Sequence, residues 1–258
     1  MIDFCVLASG SSGNAMLVRG GGGTILLDAG LSAAQIQRRM TEVGADAADL
    51  TAILLTHEHG DHIRGAPVLA EKLGIPVYLS CGTRDGSRRF WRRRHSLKIV
   101  GAGAFELAGF EVVPIPLMHD AREPMGFRFS CGACSLAVAT DLGEVDAVVE
   151  ESLLSADALI VEANHDRDRL LEGPYPEYLK RRILSGYGHL SNDQCADLLR
   201  RVACPELQRV VLAHLSQENN RPLLAWEAAA SALYERGVPE HVISIASRVR
   251  PLGWMSVE

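Results

Sequence analysis

Within seven residues, Thr56-His57-Glu58-His59-Gly60-Asp61-His62, the chain holds three imidazoles and the carboxylate of Asp61. The apolar run at 52–55 precedes them and reads as a short buried strand. Residues 63–74 follow, with Ile63, Ala66, Leu69, Ala70 and Leu73 at helical spacing and Gly74 as the stop. A strand-to-helix loop is therefore expected to carry the cluster. Burying it without a cation would leave several polar groups unpaired, at a cost of kilocalories each. Imidazole and carboxylate are ordinary ligands of divalent metals, so the cluster reads as a metal centre, against the blander reading of a solvated polar loop.

The pattern His57-x-His59-x-Asp61-His62 resembles the H-x-H-x-D-H signature of the metallo-β-lactamase superfamily. Four further features are implied, and each has a counterpart. Asp28-Ala29-Gly30 closes an early strand and matches the Asp-Gly turn, with Asp28 in a structural role. His119 follows the strand expected at 110–117, Asp141 follows the one at 134–139, and His214 follows the one at 209–212. The resemblance implies that His57, His59 and His119 bind one divalent ion and Asp61, His62 and His214 a second, with Asp141 bridging them. Zinc is the first expectation, and manganese or iron suits the same donors. Two such ions about 3.5–4 Å apart can activate water near neutral pH and clamp a phosphoryl or carbonyl oxygen. Asp61 also lies where it could orient or deprotonate that water.

Residue identities divide the branches of this superfamily. His59 stands where the oxygen-reducing branch has an acid, and Asp141 stands where the β-lactamases lack an aspartate. Phosphodiester or thioester hydrolysis remains. The run 186–192 resembles the H-x-S element that phosphodiesterase members use on the scissile phosphate. It offers His189, Ser191 and Asn192 at the start of a helix expected at 193–202, where free N–H groups favour anions; Ser191 or Asn192 as a plain N-cap is the other reading. Glu162, after a strand at 158–161, matches an acidic residue of nucleic-acid-cutting members. With His189 it is expected to manage the proton passing to the leaving oxygen. His165 is either a neighbour of that site or part of a helix cap. The runs S-G-S-S-G-N at 9–14 and A-H-L-S-Q-E-N-N at 213–220 are similar to the YycJ-type subgroup, associated with 5′-end-directed DNA exonuclease activity. The span from Asp141 to His214 leaves no room for a β-CASP insertion. Nucleic acid, DNA first, is the expected partner. A glyoxalase II-like thioester hydrolase and a non-catalytic metal-binding regulator are the competing expectations.

The elements that must position these groups alternate between strand runs and helices. Strands are expected at 2–8, 15–19 and 24–27 around Gly20–Gly23, and at 76–80, 110–117, 126–130, 134–139, 158–161, 209–212 and 242–246. Helices are expected from the Ser32–Gln35 capping box, at 145–154, 193–202 and 222–236. This suits α/β architecture, and the resemblance implies a four-layer αβ/βα sandwich of two mixed sheets packed face to face with helices outside. The 258 residues, 47% apolar and 22% charged, suit one domain spanning 1–258. No apolar run is long enough to span a membrane, no signal-like start is present, and six scattered cysteines suit a reducing cytosol, so a cytoplasmic protein with no membrane partner is expected.

Net charge is −6, which argues against a generally basic nucleic-acid binder. Locally, 84–98 gathers Arg84, Arg88, Arg89, Arg92, Arg93, Arg94 and Lys98 around Phe90 and Trp91. Such a run could contact phosphates and stack bases, with Arg92 and Arg93 as candidate substrate contacts. Equally, it could be a solvated face with its two aromatics anchored inward. His95 is read as part of that surface. Oligomeric state is left open.

Overall fold

The computed structural model describes residues 1–258. One sheet is built from β1 (Ile2–Ala8), β2 (Ala15–Gly20), β3 (Gly23–Leu27), β4 (Leu50–Leu54), β5 (Val77–Leu79), β6 (Leu97–Ile99) and β14 (Met255–Val257). The other takes β7 (Phe105–Leu107), β8 (Phe110–Pro116), β9 (Met125–Cys131), β10 (Cys134–Ala139), β11 (Ala158–Glu162), β12 (Arg209–Ala213) and β13 (Ile243–Ile245). Their spatial orders are β14-β1-β2-β3-β4-β5-β6 and β13-β12-β11-β10-β9-β8-β7. Each sheet starts as an antiparallel meander and continues as parallel strands, from β3 onward in the first and from β10 onward in the second.

Parallel neighbours need crossovers, and helices supply them. In the first half these are α1 (Ala33–Glu42), the short α2 (Gly60–Ile63), α3 (Ala66–Leu73) and α4 (Cys81–Gly86); in the second, α5 (Ala147–Leu153), α6 (Arg167–Glu172), α7 (Glu177–Ile183), α8 (Asn192–Val202) and α9 (Pro222–Glu235). Strand residues are apolar on both faces because both faces are covered. Val18, Leu27 and Leu54 meet Phe127, Phe129, Leu136 and Ile160 between the sheets. Alternate residues Leu17, Leu26 and Ile53 pack outward on Ile36 and Met40 of α1, and Leu159, Val161 and Leu212 on Leu198, Leu199 and Leu233 of α8 and α9. The result is the expected helix–sheet–sheet–helix sandwich.

Several details depart from expectation. The helix expected at 63–74 is broken at Gly65, where a Cβ would lie 2.2 Å from the Leu31 carbonyl oxygen, and Pro67 opens α3. Three helices, α4, α6 and α7, and the three-residue strands β6, β7 and β14 have no counterpart among the elements expected from the sequence. In 84–98, Phe90 and Trp91 turn inward onto the core under α1 and α3, and the Trp91 indole donates to Ser87 Oγ at 2.7 Å. Both rings are half-buried against that core, which favours the reading in which the two aromatics are anchored inward. His95 is not a surface residue either: its side chain is 2% exposed, with Nε2 3.1 Å from the Pro67 carbonyl oxygen.

Candidate metal centre

The seven expected metal ligands, with Asp28 behind them, all lie a few residues beyond the last residue of a strand. Asp28 follows β3, the 57–62 loop follows β4, His119 lies three residues past β8, Asp141 two past β10, and His214 directly after β12. Asp28, Asp141 and His214 have left-handed backbone, with φ of 57°, 62° and 55°. That conformation is uncommon outside glycine and clusters at functional sites. Here it turns the chain sharply, so that the side chain points back over the strand ends.

The loops brace one another through backbone bonds. Asn14 N–H donates to the Asp61 carbonyl and Ala29 N–H to that of His62, each at 2.7 Å. Gly30 is pressed so close that a Cβ there would fall 1.6 Å from the Asp61 carbonyl oxygen. The turn at 9–14 takes part as well. Ser9 Oγ accepts from His214 N–H at 2.8 Å, and Asn14 Nδ2 lies 2.9 Å from His62 Nε2.

Four ligand groupings result, each with its donor atoms within 4.8 Å of one another: His57/His59/His119, His57/His62/Asp141, Asp61/His62/His214, and Asp141/Glu162/His189/His214. His57 Nε2 and His59 Nδ1 face each other at 3.0 Å. His59 occupies the N-cap of α2 without making a side-chain cap bond, which leaves its ring free. Asp141 spans the groups, with Oδ2 3.3 Å from His62 Nε2 and Oδ1 3.4 Å from His214 Nε2 and 4.0 Å from His119 Nε2. Asp61 Oδ2 is 3.7 Å from His62 Nε2 and 3.9 Å from His214 Nε2.

The chemistry of this set fits divalent cations. Asp141 Oδ2 and His214 Nε2 are buried with no hydrogen-bonding partner, an expensive state for a carboxylate and an imidazole unless a cation lies between them. Burial, reinforced by the neighbouring histidines, holds the His57 ring far below its usual pKa, so it is the neutral, ligating form. Burial also lowers His119. Burial opposes charge on His62 and His214 too, yet Asp28 and Asp141 lift His62 to about 9, and Asp141, Asp61 and Glu162 lift His214 well above its ordinary value. A carboxylate field that attracts a proton this strongly attracts a metal ion by the same Coulombic pull.

Hydrogen bonds from behind fix the rings. His62 Nδ1 donates to Asp28 Oδ2 at 2.7 Å, and Asp28 also receives the N–H of Thr56 at 2.9 Å. His119 Nδ1 donates to the Gly188 carbonyl at 3.2 Å. Glu162 is fully buried: Oε1 accepts from His189 Nδ1 at 2.9 Å and His214 Nδ1 at 2.8 Å, and Oε2 from the N–H of Leu142 at 3.2 Å and Leu190 at 3.1 Å. Such outer partners orient ligands and raise their basicity.

A cavity of about 200 Å³ opens beside the centre, with His119, His189 and His214 on one side and Tyr175, Leu179 and Arg182 on the other. His189 faces it, with Nδ1 3.8 Å from Asp141 Oδ1. Glu162 does not line it: its bonds run to His189, His214 and two backbone N–H groups, so its link to the cavity passes through His189. Ser191 is committed to a capping box with Gln194, and Asn192 Nδ2 is tied to Asn220 Oδ1 at 3.0 Å. Neither lines the cavity, so the N-cap reading holds for Ser191 and a phosphate contact is not supported for either. Arg92 and Arg93 are exposed on the loop before edge strand β6 and lie outside the cavity lining. His165 is buried behind the site with no partner on either ring nitrogen, and burial lowers its pKa to about 4.

Sequence reasoning missed Asp120 and Arg182. Asp120 Oδ1 is 3.3 Å from His119 Nε2 and 3.8 Å from His59 Nε2, while Oδ2 accepts from Arg182 Nε at 2.6 Å. Asp120 stood in plain view beside His119. Its partner lies in a helix with no local signal linking the two.

Comparison with known proteins agrees with this geometry. Residues 23–215, which contain every grouped ligand, match the Beta-lactamase superfamily domain. The chain belongs to the metallo-β-lactamase superfamily. Among its relatives in that superfamily, it is 36% identical over 239 residues to exodeoxyribonuclease YycJ of Bacillus anthracis, covering 92% of this chain and 90% of the relative. It is likewise 36% identical over 234 residues to exodeoxyribonuclease WalJ of Streptococcus pneumoniae serotype 2 (strain D39), covering 86% and 84%. The metallo-β-lactamase fold protein YhfI of Bacillus subtilis superimposes with a TM-score of 0.74 over 97% of this chain and 98% of its own, at 16% identity, a likeness of fold. Membership in the superfamily implies divalent metal ions, for which the histidine and aspartate groupings provide ligands. No helix is long and apolar enough to cross a membrane.

Proposed function

We propose that this chain is a metal-dependent phosphodiesterase, a 5′-end-directed DNA exonuclease of the YycJ type. The observation that carries the reading is His189, which lines the cavity and whose Nδ1, 3.8 Å from the bridging carboxylate Asp141, is pinned by a fully buried Glu162, leaving Nε2 uncommitted. Phosphodiester cleavage expels an alkoxide and needs a proton donor there. Similarity over most of the chain to proteins named exodeoxyribonucleases supports DNA.

His57, His59 and His119 would hold one divalent ion and Asp61, His62 and His214 another, with Asp141 shared; zinc suits these donors best. Bound there, the pair supplies an acidified water and charge neutralisation at the phosphoryl oxygens. The chain's own groups do the rest. Asp61, the most open carboxylate of the set, orients the attacking water and accepts its proton. Burial disfavours charge on His189, but Glu162 outweighs it and raises the pKa, so Nε2 keeps a proton to give to the leaving oxygen. We treat 1–258 as one domain, since residues from Ile2 to Val257 share the core between the sheets. We place it in the cytoplasm, where its six free cysteines stay reduced.

Cleavage of 5′-labelled single-stranded and duplex DNA, RNA, bis(p-nitrophenyl) phosphate and a thioester tests this. Wild type should cut DNA, and Asp61→Ala should lose at least about a thousandfold in rate. Wild-type turnover of a thioester with every phosphodiester untouched would overturn the reading, as would full activity in Asp61→Ala.

A further inference from the structure

The cavity beside the metal centre has a neighbour. A second cavity, of about 300 Å³, shares Leu215 and Ser216 with it as a common wall and continues to Ser247 and Arg248. Topology explains the adjacency. β13 runs parallel to β12, with Ile245 opposite Leu212, so the loop after β13 emerges at the same end as His214, one strand spacing of about 4.8 Å to the side. That loop is held firmly while its outer side chains stay unused. Arg39 is 6% exposed and makes no ion pair; it donates Nη1 to the Leu7 carbonyl and Nη2 to the Arg248 carbonyl, both at 2.8 Å. Ser9 N–H donates to the Ser247 carbonyl at 3.2 Å. The Arg248 guanidinium itself is exposed, with neither an ion pair nor a hydrogen bond to protein. Ser216 Oγ accepts from Asn219 N–H at 3.2 Å, which leaves its own proton to donate. The cavities lined by Arg19, Arg182 and Arg250 each hold a carboxylate as well, from Asp49, Asp120 and Glu42. The one lined by Arg248 holds none. In a chain of net charge −6, an unpaired arginine in an acid-free cavity next to the metal ligands is a place for an anion.

We propose that this second cavity is a phosphate subsite, which holds the phosphate next to the scissile one in the same strand. Arg248 pairs with that phosphate, and Ser216 donates to it from the shared wall. A guanidinium fork matches phosphate oxygens, and a grip of this kind carries no base information. Only a substrate with two successive phosphates fills both cavities at once, so the subsite selects polynucleotides over isolated phosphodiesters, and does so in binding. Because the Arg39 strap fixes the backbone at 248 before substrate arrives, less ordering is left to be done on binding. This assignment rests on the phosphodiesterase reading.

The test is steady-state cleavage of a 5′-labelled oligothymidylate by the metal-loaded, full-length protein, with bis(p-nitrophenyl) phosphate as the substrate that lacks a second phosphate. Arg248→Ala should raise KM for the oligonucleotide about tenfold, keep kcat within about twofold, and leave bis(p-nitrophenyl) phosphate unchanged. It should also reduce the slope of log KM against log salt by about 0.7. Arg248→Lys keeps the charge and should recover most of the loss, while Arg250→Ala, in the cavity that contains Glu42, should change nothing. An uncharged methylphosphonate in place of the flanking phosphate should cost the wild type the same factor and cost Arg248→Ala nothing further. Placing that linkage on each side of the scissile bond in turn, and comparing 5′-phosphate with 5′-hydroxyl ends, shows which phosphate occupies the subsite. The bond from Arg39 goes to the carbonyl of residue 248 and survives these substitutions, and melting curves verify that the variants fold. If Arg248→Ala keeps the wild-type KM and salt slope while the wild type hydrolyses bis(p-nitrophenyl) phosphate, the subsite is wrong and the phosphodiesterase reading stands. An equal loss on both substrates, or a wild type indifferent to every neutral linkage, also overturns the subsite. If the wild type cleaves no phosphodiester with any divalent metal, both fall.

Discussion

Replacing Glu162 with glutamine keeps its size and removes one of two acceptor oxygens. In the wild type four donors converge on this carboxylate, two imidazole Nδ1–H groups on Oε1 and two backbone N–H groups on Oε2, at 2.8 to 3.2 Å. A glutamine can satisfy only one pair. Its amide nitrogen must face either the two rings or the two backbone groups, and either way two buried donors lose their acceptor. At roughly 1–3 kcal/mol each, the loss is about 2–6 kcal/mol. For a chain of this length that lowers Tm by roughly 10 °C. His214 also loses the contact that fixes its tautomer, so metal affinity should fall about 10- to 100-fold. The pH dependence has a definite sign. Burial raises the Glu162 pKa, but His189 and His214 outweigh it and hold it well below the usual carboxylate range. A depressed native pKa contributes stability that is complete above the unfolded value, about 4.3, and drains away as pH falls toward the native one. Wild type should therefore show an acid limb that Glu162→Gln lacks. Calorimetry from pH 3 to 7 and zinc titration against a competing chelator measure both effects. A variant that melts within about 1 °C of wild type and binds zinc within about twofold would refute the reasoning.

His189→Ala should slow oligonucleotide cleavage by about 10²- to 10⁴-fold yet cost less than about tenfold on bis(p-nitrophenyl) phosphate, whose phenolate leaves without a proton. With its pKa raised, His189 donates below that pKa, so the wild-type rate on DNA should fall as pH rises through it, and the variant should lack this limb; equal losses on both substrates would remove His189 from proton transfer. Chelation should lower Tm by roughly 10 °C, recovered on adding zinc, because ions bound about a thousandfold above their Kd contribute about 4 kcal/mol. An unchanged Tm would show that the groupings hold no ion in solution.

The ligands were legible because their order is local. Four lie within six residues, and His119, Asp141 and His214 each close an apolar run, so strand ends alone located them. The sandwich was legible for the same reason: its long strands are apolar on both faces. What escaped notice depends on short elements or distant pairings. Gly173, Pro174 and Pro176 break the periodicity around α6 and α7, whose six and seven residues span about two turns each. Arg182 meets Asp120 across 62 positions, and no spacing rule reports such a contact. An acid at 162 could be read from the sequence, but not that protein donors take up both of its oxygens. Composition marked 84–98 as basic and aromatic, yet direction is a packing property, and Phe90 and Trp91 followed apolar area.

The pairing of β14 with β1 sets the terms of synthesis. Ile2, Asp3 and Phe4 lie opposite Val257, Ser256 and Met255, so the first strand keeps an open edge until residues 255–257 have been made. A nascent chain can assemble the second sheet and its helices while the first remains unsealed, with the unpaired backbone N–H and C=O groups of β1 available to other chains. Shortening the polypeptide by a handful of residues at that end would leave the metal ligands intact and still yield a protein prone to self-association.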